Sequence, residues 1–239
     1  MNSTIQKDLL IVYPKVSVIV ATYRRKESLE KALLSLVNQS YDNLEIILVD
    51  DNADDIWNSN VTRIVEKIKM EDNVDILYIQ NKCNNGSAET RNIGIKYATG
   101  EYITFLDDDD IYLRDKVRNQ IEHMVANKSD YSITDLWLYD ENDRLIEKRL
   151  RNYIKDLSVE NLLKYHLLYH MTGTDVMMFK KSYLLDIGMF SPINVGDEFY
   201  LMQKAIEGKG CFSYLPICDV KAYIHFETNG LSIGDSKIK

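Results

Sequence analysis

The amino-terminal part of the chain alternates short apolar runs with amphipathic stretches. Runs rich in β-branched residues predict four buried strands, at residues 15–22, 44–49, 74–80 and 102–106. Between them, apolar residues recur at helical spacing and predict helices over 29–37, 61–68 and 87–98, the last with Ser87 as its N-cap. This regular alternation of strand and helix is typical of a doubly wound, mostly parallel α/β sheet.

The carboxy-terminal part alternates less regularly. The pattern predicts helices over 114–125, 159–169, 181–187 and 197–207, a hairpin of 131–139 with 144–150, a strand at 176–179 and a β-like stretch at 211–226. Because no repeat, low-complexity segment or linker interrupts the chain, we predict one domain over residues 1–239. Its first half would cover about 15–112, its mixed second half about 113–227, and a loose tail 228–239.

Acidic residues directly follow two of the predicted strands, at 50–51 and at 107–110. Because right-handed crossovers bring the loops after parallel strands to one edge of a sheet, we expect these residues and the loop after Thr22 to converge. Adjacent carboxylates repel one another unless a cation compensates them, and oxygen ligands favour Mg²⁺ or Mn²⁺. A solvated loop that caps the next helix is the alternative. Convergence of three loops favours a metal site that presents a diphosphate.

Composition narrows the class of protein. The net charge of −8 argues against a nucleic-acid partner bound through its phosphates. Three widely spaced cysteines form neither a disulfide framework nor a zinc pattern, which fits a reducing compartment. The first eight residues lack the apolar core of a signal peptide, and no apolar run has the length of a membrane span. We therefore expect a cytoplasmic protein, soluble or peripheral on the inner face of the membrane.

Four stretches carry a family resemblance: Val-Ser-Val-Ile-Val-Ala-Thr-Tyr-Arg-Arg at 16–25, Leu-Val-Asp-Asp at 48–51, Gly-Ser-Ala-Glu-Thr-Arg-Asn-Ile-Gly at 86–94, and Ala-Thr-Gly-Glu-Tyr-Ile-Thr-Phe-Leu followed by four Asp at 98–110. In this order and spacing the chain resembles the inverting family 2 glycosyltransferases of the GT-A fold. The resemblance covers most of 15–112 and is loose beyond. It implies a hexosyltransferase of polysaccharide biosynthesis that uses a UDP-sugar donor, Mn²⁺ or Mg²⁺, and a glycan, lipid-linked or other hydroxyl acceptor.

The resemblance also implies roles for residues of the nucleotide half. Ala21 and Tyr23 would border the uracil, with the ring of Tyr23 available for stacking. Asp51 would accept from the base or ribose, Arg91 would contact the base or the phosphates, and Asp108 would lie toward the ribose.

The metal ligands implied by the resemblance lie in the acidic run. Asp109 would be the direct ligand, with Asp107 beside it. His225 is a weaker candidate: it could join the metal as a third ligand or close over the diphosphate, and the alternative is an ordinary core histidine. The fourth acid, Asp110, leaves the register of the ligand open by one residue.

An acidic pair, Asp197 and Glu198, opens the predicted helix at 197–207, where the family has its catalytic acids. An inverting transfer needs a base opposite the leaving group, and carboxylates serve that role in glycosyl chemistry. We favour Glu198 as the base with Asp197 in support; the order Asp-Glu, where Glu-Asp is commoner, leaves the choice open. The alternative is that both acids only favour the first turn of the helix.

Two weaker candidates lie in the second half. The turn at 172–174 could line the sugar pocket or be a simple turn. His166 and His170 have the spacing of zinc ligands, but without a third ligand we interpret them as one ordinary helix face.

Two other functions compete with glycosyl transfer. A sugar nucleotidyltransferase would need a glycine-rich basic loop after the first strand, and residues 22–27 are basic but contain no glycine. A non-catalytic subunit that binds nucleotide-sugars is the second alternative, disfavoured because both acidic clusters are present.

Overall fold

The computed structural model describes residues 13–72, 74–193 and 195–224, and it contains one continuous nine-stranded sheet with helices packed against it. The strands are β1 Val16–Thr22, β2 Leu44–Asp50, β3 Ile76–Gln80, β4 Tyr102–Asp107, β5 Ile111–Tyr112, β6 Tyr131–Asp140, β7 Leu145–Arg149, β8 Met177–Lys180 and β9 Phe212–Ile224. The helices are α1 Glu27–Val37, α2 Asp55–Asp72, α3 Gly86–Tyr97, α4 Lys116–Asn127, α5 Val159–Tyr169, α6 Lys181–Asp186 and α7 Asp197–Glu207, with a 3₁₀ turn at Thr174–Val176.

The first half is a parallel sheet in the order β3-β2-β1-β4. Its central strands are buried on both faces, which explains their continuous apolar runs. The register pairs Thr22 with Asp50 and Ala21 with Asp107, so the ends of β1, β2 and β4 lie level. The predicted α/β fold, and the convergence of the three loops at one edge, are confirmed.

The second half extends the sheet with mixed pairing. β8 pairs antiparallel with β4 and with β6, and β9 runs parallel to β6. The predicted hairpin is present as β6 and β7. One element was not predicted: β5, two residues long, which pairs antiparallel with β9 and holds the end of the acidic run against that strand. The loose tail at 228–239 lies outside the described residues, and the single domain over 1–239 stays a prediction.

A buried lysine fastens the two halves together beneath the acidic run. Lys116 is fully buried, and its Nζ donates to Thr104 Oγ1 at 2.8 Å and to Tyr112 Oη at 2.8 Å. Burial lowers the pKa of Lys116 to about 7. Tyr112 Oη also lies 3.1 Å from the carbonyl oxygen of Asp175. This network fixes β4, β5 and the 3₁₀ turn relative to one another.

Gly100 allows a close approach at the start of β4, and its replacement gives the first prediction. A Cβ there would lie 2.5 Å from Ser17 Oγ, 2.7 Å from Ser17 N and 2.9 Å from Lys15 O. Because two of these atoms are backbone, we expect Gly100→Ala to lower the free energy of unfolding by about 1–3 kcal/mol. Urea denaturation followed by circular dichroism measures it.

Gly173→Ala is the matched control for that measurement. The nearest atom to its added Cβ is Leu136 Cδ2 at 3.6 Å, an ordinary contact. We expect a change within about 0.5 kcal/mol. An equal loss in both variants would show that the contacts of Gly100 are not the cause.

Candidate active site

Asp51 holds the start of α3 against the end of β2. Its Oδ1 accepts from Asn81 Nδ2 at 2.8 Å, and its Oδ2 accepts from Gly86 N at 2.9 Å. The backbone N–H of Asn85 lies between the two oxygens. A carboxylate suits this place because the N-terminus of a helix carries partial positive charge. The predicted N-cap at Ser87 is wrong: Asn85 precedes the helix, and Ser87 lies in its first turn.

Asp108 and Asp109 are held by the loop after β1. Asp108 Oδ2 accepts from Thr22 Oγ1 at 2.7 Å and from Tyr23 N at 3.1 Å. Arg25 donates from Nη2 to Asp109 Oδ2 at 2.8 Å, and its Nε lies 3.6 Å from Asp108 Oδ1. Burial and repulsion by Asp109 raise the pKa of Asp108 to about 7 despite these donors. Two neighbouring carboxylates therefore share one arginine at this edge.

Arg91 joins the acidic run to the acidic pair of α7. Its Nη2 donates to Asp107 Oδ1 at 2.6 Å and its Nη1 to Asp197 Oδ2 at 2.8 Å. Ser87 Oγ donates to the same oxygen of Asp197 at 3.2 Å. Arg91 and Asp197 are both buried, so each charge depends on the other for compensation. Residues far apart in the sequence thus form one connected site.

A second set of carboxylates lies beside this bridge. One oxygen from each of Asp107, Asp110 and Asp175 lies within 4.8 Å of the others. Asp175 Oδ1 accepts from the backbone N–H of Asp107 at 2.6 Å, and Asp110 Oδ1 accepts from Tyr223 N at 2.8 Å. Burial and repulsion by Asp107 raise the pKa of Asp175 to about 7, and burial and Asp175 raise that of Asp110.

The carboxylate oxygens at this edge are suitable ligands for a divalent cation. Closely spaced carboxylate oxygens are the ligands that Mg²⁺ and Mn²⁺ prefer. The pKa values of Asp108, Asp110 and Asp175 are raised, chiefly because burial disfavours the charged form of each carboxyl. The structure brings Asp107 into the three-carboxylate set and turns Asp109 toward Arg25. His225 lies outside the described residues.

Glu198 lies at the start of α7 and faces the end of α5. Its Oε1 is 3.4 Å from His170 Nε2, and its backbone N–H donates to Asp197 Oδ1 at 3.1 Å. Burial raises the pKa of Glu198, but hydrogen bonds with His170 and Asp197 outweigh it and lower the pKa to about 2. For Asp197, burial outweighs Arg91 and raises the pKa. Of the pair, Glu198 is therefore the acid that is ionised over the wider pH range.

Of the remaining residues singled out from the sequence, two lie at the end of β1 and four lie in the second half. Tyr23 is exposed at the mouth of the edge with Arg24 over its ring at 5.2 Å, and Ala21 is half-buried. Thr172 and Thr174 are buried in the turn that leads to Asp175. His166 and His170 lie on one face of α5, as expected: their ring centroids are 4.0 Å and 5.1 Å from that of Phe199, with His166 buried and His170 exposed.

Sequence reasoning missed Asp175, Arg25 and the contact between His170 and Glu198. Arg25 stands in the basic loop after the first strand, opposite the acidic run, and that charge pairing was an available signal. Asp175 follows the turn at 172–174 without any motif of its own, and only the antiparallel pairing of β8 with β4 brings it to the edge. His170 reaches Glu198 through packing of α5 on α7, which no local pattern predicts.

Comparison with known proteins decides the family. Residues 17–185 match the family model described as "Glycosyl transferase family 2". The chain belongs to this family. The match includes the acidic run, Arg91 and Asp175, and it ends before α7.

Three bacterial relatives carry names of glycosyltransferases. The chain is 37% identical over 124 residues to the UDP-Glc:alpha-D-GlcNAc-diphosphoundecaprenol beta-1,3-glucosyltransferase WfaP of Escherichia coli, covering 52% of this chain and 46% of WfaP. It is 29% identical over 225 residues to the GalNAc(5)-diNAcBac-PP-undecaprenol beta-1,3-glucosyltransferase of Campylobacter jejuni, covering 94% of this chain and 69% of that protein. It spans about half the length of the Haemophilus influenzae relative, an uncharacterized glycosyltransferase.

The fold matches solved structures of the same class. Staphylococcus aureus TarS 1–349 in complex with UDP-GlcNAc superposes with a TM-score of 0.74 at 21% identity, covering 92% of this chain and 61% of that one. The predicted GT-A fold is therefore confirmed. Among the described helices, none is long and apolar enough to cross a membrane.

The buried bridge through Arg91 gives the second prediction. Arg91→Gln removes the shared partner of two carboxylates, and we expect the free energy of unfolding to fall by about 3–5 kcal/mol at neutral pH. Without the guanidinium, protonation would relieve the buried Asp197, whose pKa is already raised. The loss should therefore be larger at pH 8 than at pH 5, measured by urea denaturation at both.

A double variant tests whether the two charges are coupled. Adding Asp197→Asn to Arg91→Gln removes the carboxylate that was left without its partner, so it should restore part of the lost stability. Independent, additive losses that do not depend on pH would contradict the bridge.

Proposed function

We propose that this chain transfers a sugar from a UDP-sugar to a hydroxyl of a lipid-linked glycan, with inversion and with help from a divalent cation. The observation that carries the proposal is the bridge of Arg91 between Asp107 and Asp197. It joins the edge suited to a nucleotide diphosphate to the acidic pair suited to proton transfer, as a glycosyl transfer requires. Membership of glycosyl transferase family 2 supports the reaction class.

The donor site is proposed at the ends of β1 and β2. Tyr23 is exposed there and can stack on uracil, beside Ala21. Asp51 lies below it, and Asp108 is oriented by Thr22 to meet the ribose. TarS 1–349 was solved in complex with UDP-GlcNAc, which supports a uridine nucleotide here. Arg91, buried and doubly paired, would act on the phosphates mainly by orienting Asp107.

Asp109 and Asp107 would hold the cation, with Asp110 as the alternative to Asp109 and Asp175 as a further oxygen ligand. A bound Mn²⁺ or Mg²⁺ would supply positive charge against the diphosphate as it leaves. Arg25, which now donates to Asp109, stands where it can also donate to a phosphate oxygen.

Glu198 is the proposed base, and Asp197 its support. Asp197 is committed to Arg91 and Ser87, so its oxygen is already used as an acceptor. Glu198 lies beside His170, whose Nε2 is 3.4 Å from its Oε1, and a Glu carboxylate is ionised at neutral pH. An ionised carboxylate at this position can accept the proton of an incoming hydroxyl.

The proposed acceptor and the proposed cellular location are based on the names of the relatives. The E. coli and C. jejuni relatives are described as glucosyltransferases that act on diphosphoundecaprenol-linked sugars. Such an acceptor would place the protein at the inner face of a membrane, as a cytoplasmic, peripheral enzyme of polysaccharide biosynthesis. A sugar nucleotidyltransferase is disfavoured by the absence of glycine from residues 22–27, and a non-catalytic subunit by the intact acidic pair.

The third prediction concerns the metal ligand. Asp109→Asn should remove most of the effect of Mn²⁺ on UDP binding, with metal-dependent affinity reduced by more than about tenfold, because a carboxylate ligand is lost. Isothermal titration of UDP with and without Mn²⁺ measures it. Affinity without metal should change little and reports that the variant is folded.

Asp175→Asn is the comparison for that experiment. If the cation lies among Asp107, Asp110 and Asp175, the Asp175 variant will lose the metal response and the Asp109 variant will keep it. That outcome would overturn the assignment of Asp109.

The fourth prediction concerns the base. Glu198→Gln should lower kcat by about 10²–10⁴-fold while UDP affinity and its metal dependence stay unchanged, because a base acts only in the chemical step. Turnover with a lipid-linked acceptor, beside titration of UDP, measures both. Screening UDP-sugars for metal-dependent transfer or hydrolysis identifies the donor first.

Asp197→Asn is the matched variant. It should reduce kcat less than Glu198→Gln and reduce stability more, because Asp197 compensates Arg91. The reverse order of kcat would exchange the two roles, and a product that retains the donor's anomeric configuration would exclude the mechanism.

A further inference from the structure

His170 ends α5 in a backbone conformation that residues other than glycine and asparagine seldom adopt. Its φ is 47° and its ψ is 71°, in the left-handed region, and its backbone N–H closes the last turn on the carbonyl oxygen of His166 at 2.9 Å. An L side chain is strained there, and residues held in such conformations occur preferentially at functional sites. A histidine at this position therefore points to a role for its side chain.

The side chain of His170 lies against the first turn of α7. Its Nε2 is 3.4 Å from Glu198 Oε1, and its ring meets the Phe199 ring edge-on, with centroids 5.1 Å apart and planes at 87°. The side chain of His170 is 54% exposed, whereas that of Glu198 is 22% exposed. The imidazole therefore reaches one oxygen of a carboxylate that is itself mostly withdrawn from solvent.

His166 contacts the same turn of α7 from one helical turn earlier in α5. Its ring stacks on the Phe199 ring with centroids 4.0 Å apart, and its Nε2 lies 2.9 Å from the carbonyl oxygen of Phe199. A carbonyl oxygen only accepts, so this Nε2 carries a proton. Burial lowers the pKa of His166, which keeps its ring neutral at neutral pH. Phe199, the residue after Glu198, thus contacts both histidines, and this packing limits the movement of Glu198.

We propose that His170 is a positioning residue for Glu198: its Nε2–H donates to Oε1 and holds the carboxylate where it can accept the proton of the incoming hydroxyl. This inference rests on the proposed role of Glu198 as the base. The separation of 3.4 Å is longer than a formed hydrogen bond, and such contacts commonly shorten when substrate is bound. The proton passes from the hydroxyl to Glu198 and then to water, while His170 keeps its own.

A base needs such a restraint because it works only within a narrow range of positions. A glutamate side chain has several rotatable bonds, so an unrestrained carboxylate samples several rotamers. A misplacement of about 1 Å can lower a rate by about 10²-fold. Asp197 is held by Arg91 and Ser87, and His170 supplies Glu198 with the corresponding restraint from α5.

Two substitutions of His170 separate its hydrogen bond from its volume. His170→Gln keeps an N–H donor at a similar reach and His170→Leu removes the donor, while both place a side chain at the same left-handed backbone position. We expect His170→Leu to lower kcat by about 10- to 100-fold with an unchanged KM for the donor, and His170→Gln to stay within about threefold of the unchanged protein. Release of UDP, with Mn²⁺ present, from the UDP-sugar that the donor screen selects measures both.

A double variant distinguishes positioning from a structural role. If His170 acts only through Glu198, His170→Leu should lower kcat by less than about twofold when Glu198→Gln is already present, because the effects of residues that act as a unit are not additive. Leu167→Gln is the control for damage to the end of α5: its side chain is 66% exposed in the same turn, and kcat should not change. All variants should keep their affinity for UDP, measured by titration.

An unchanged kcat in His170→Leu would overturn the inference, as would effects of His170→Leu and Glu198→Gln that multiply. An equal fall of kcat in His170→Gln and His170→Leu would also overturn it, because the imidazole would then be needed for proton transfer and not as a donor. So would an equal fall in Leu167→Gln, which would attribute the loss to α5 as a whole. By contrast, a chain that neither binds UDP nor releases it from any UDP-sugar would overturn the proposed function, on which the inference depends.

Discussion

Crowding of carboxylates at one edge of the sheet is the constraint on which the rest of this structure depends. Parallel pairing makes the ends of β1, β2 and β4 level, so their acids necessarily meet. The protein compensates them with separate devices: the N-terminus of α3 on Asp51, Arg25 on Asp109, and Arg91 on Asp107. The pKa values of Asp108 and Asp175 stay raised despite these donors, chiefly because both carboxyls are buried.

The second half of the chain is built around the same edge. β5 turns the end of the acidic run onto β9, and Lys116 holds that turn to β4 from below. The antiparallel strand β8 brings Asp175 to this edge, and the start of α7 brings Asp197 to it. A mixed sheet is what allows this, because antiparallel strands bring chain from the opposite direction to the edge where the parallel strands end.

The first half of the chain could be predicted from sequence because the patterns that indicate its strands and helices are local. Each parallel strand is a continuous apolar run and each helix has one apolar face, so the pattern predicted β1 to β4. The handedness of the crossovers predicted that the loops after β1, β2 and β4 lie at one edge. The second half could be predicted less well for physical reasons. β5 is two residues long, too short for any periodicity, and Asp175 reaches the acidic edge only through a contact with Asp107, 68 residues away in the sequence. Ser87 was misassigned because the helix begins one residue earlier, at a glycine with φ of 80°, and its hydroxyl serves Asp197 instead of the backbone. The acidic pair at 197–198 was located from sequence. The contacts that distinguish its members, Asp197 with Arg91 and Glu198 with His170, depend on packing between distant segments and could not be predicted.

The pairing of β5 with β9 also governs when the acidic edge can form. Tyr223 donates its backbone N–H to Asp110, and Val220 pairs with Tyr112, so the last described strand completes an edge whose acids lie more than a hundred residues earlier. A chain emerging from the ribosome can fold its parallel strands early, since those contacts are nearer in sequence. Asp110 acquires its final environment only after β9 has been synthesised. A nascent chain, or one that ends before β9, would therefore have folded parallel strands and an unfinished acidic edge.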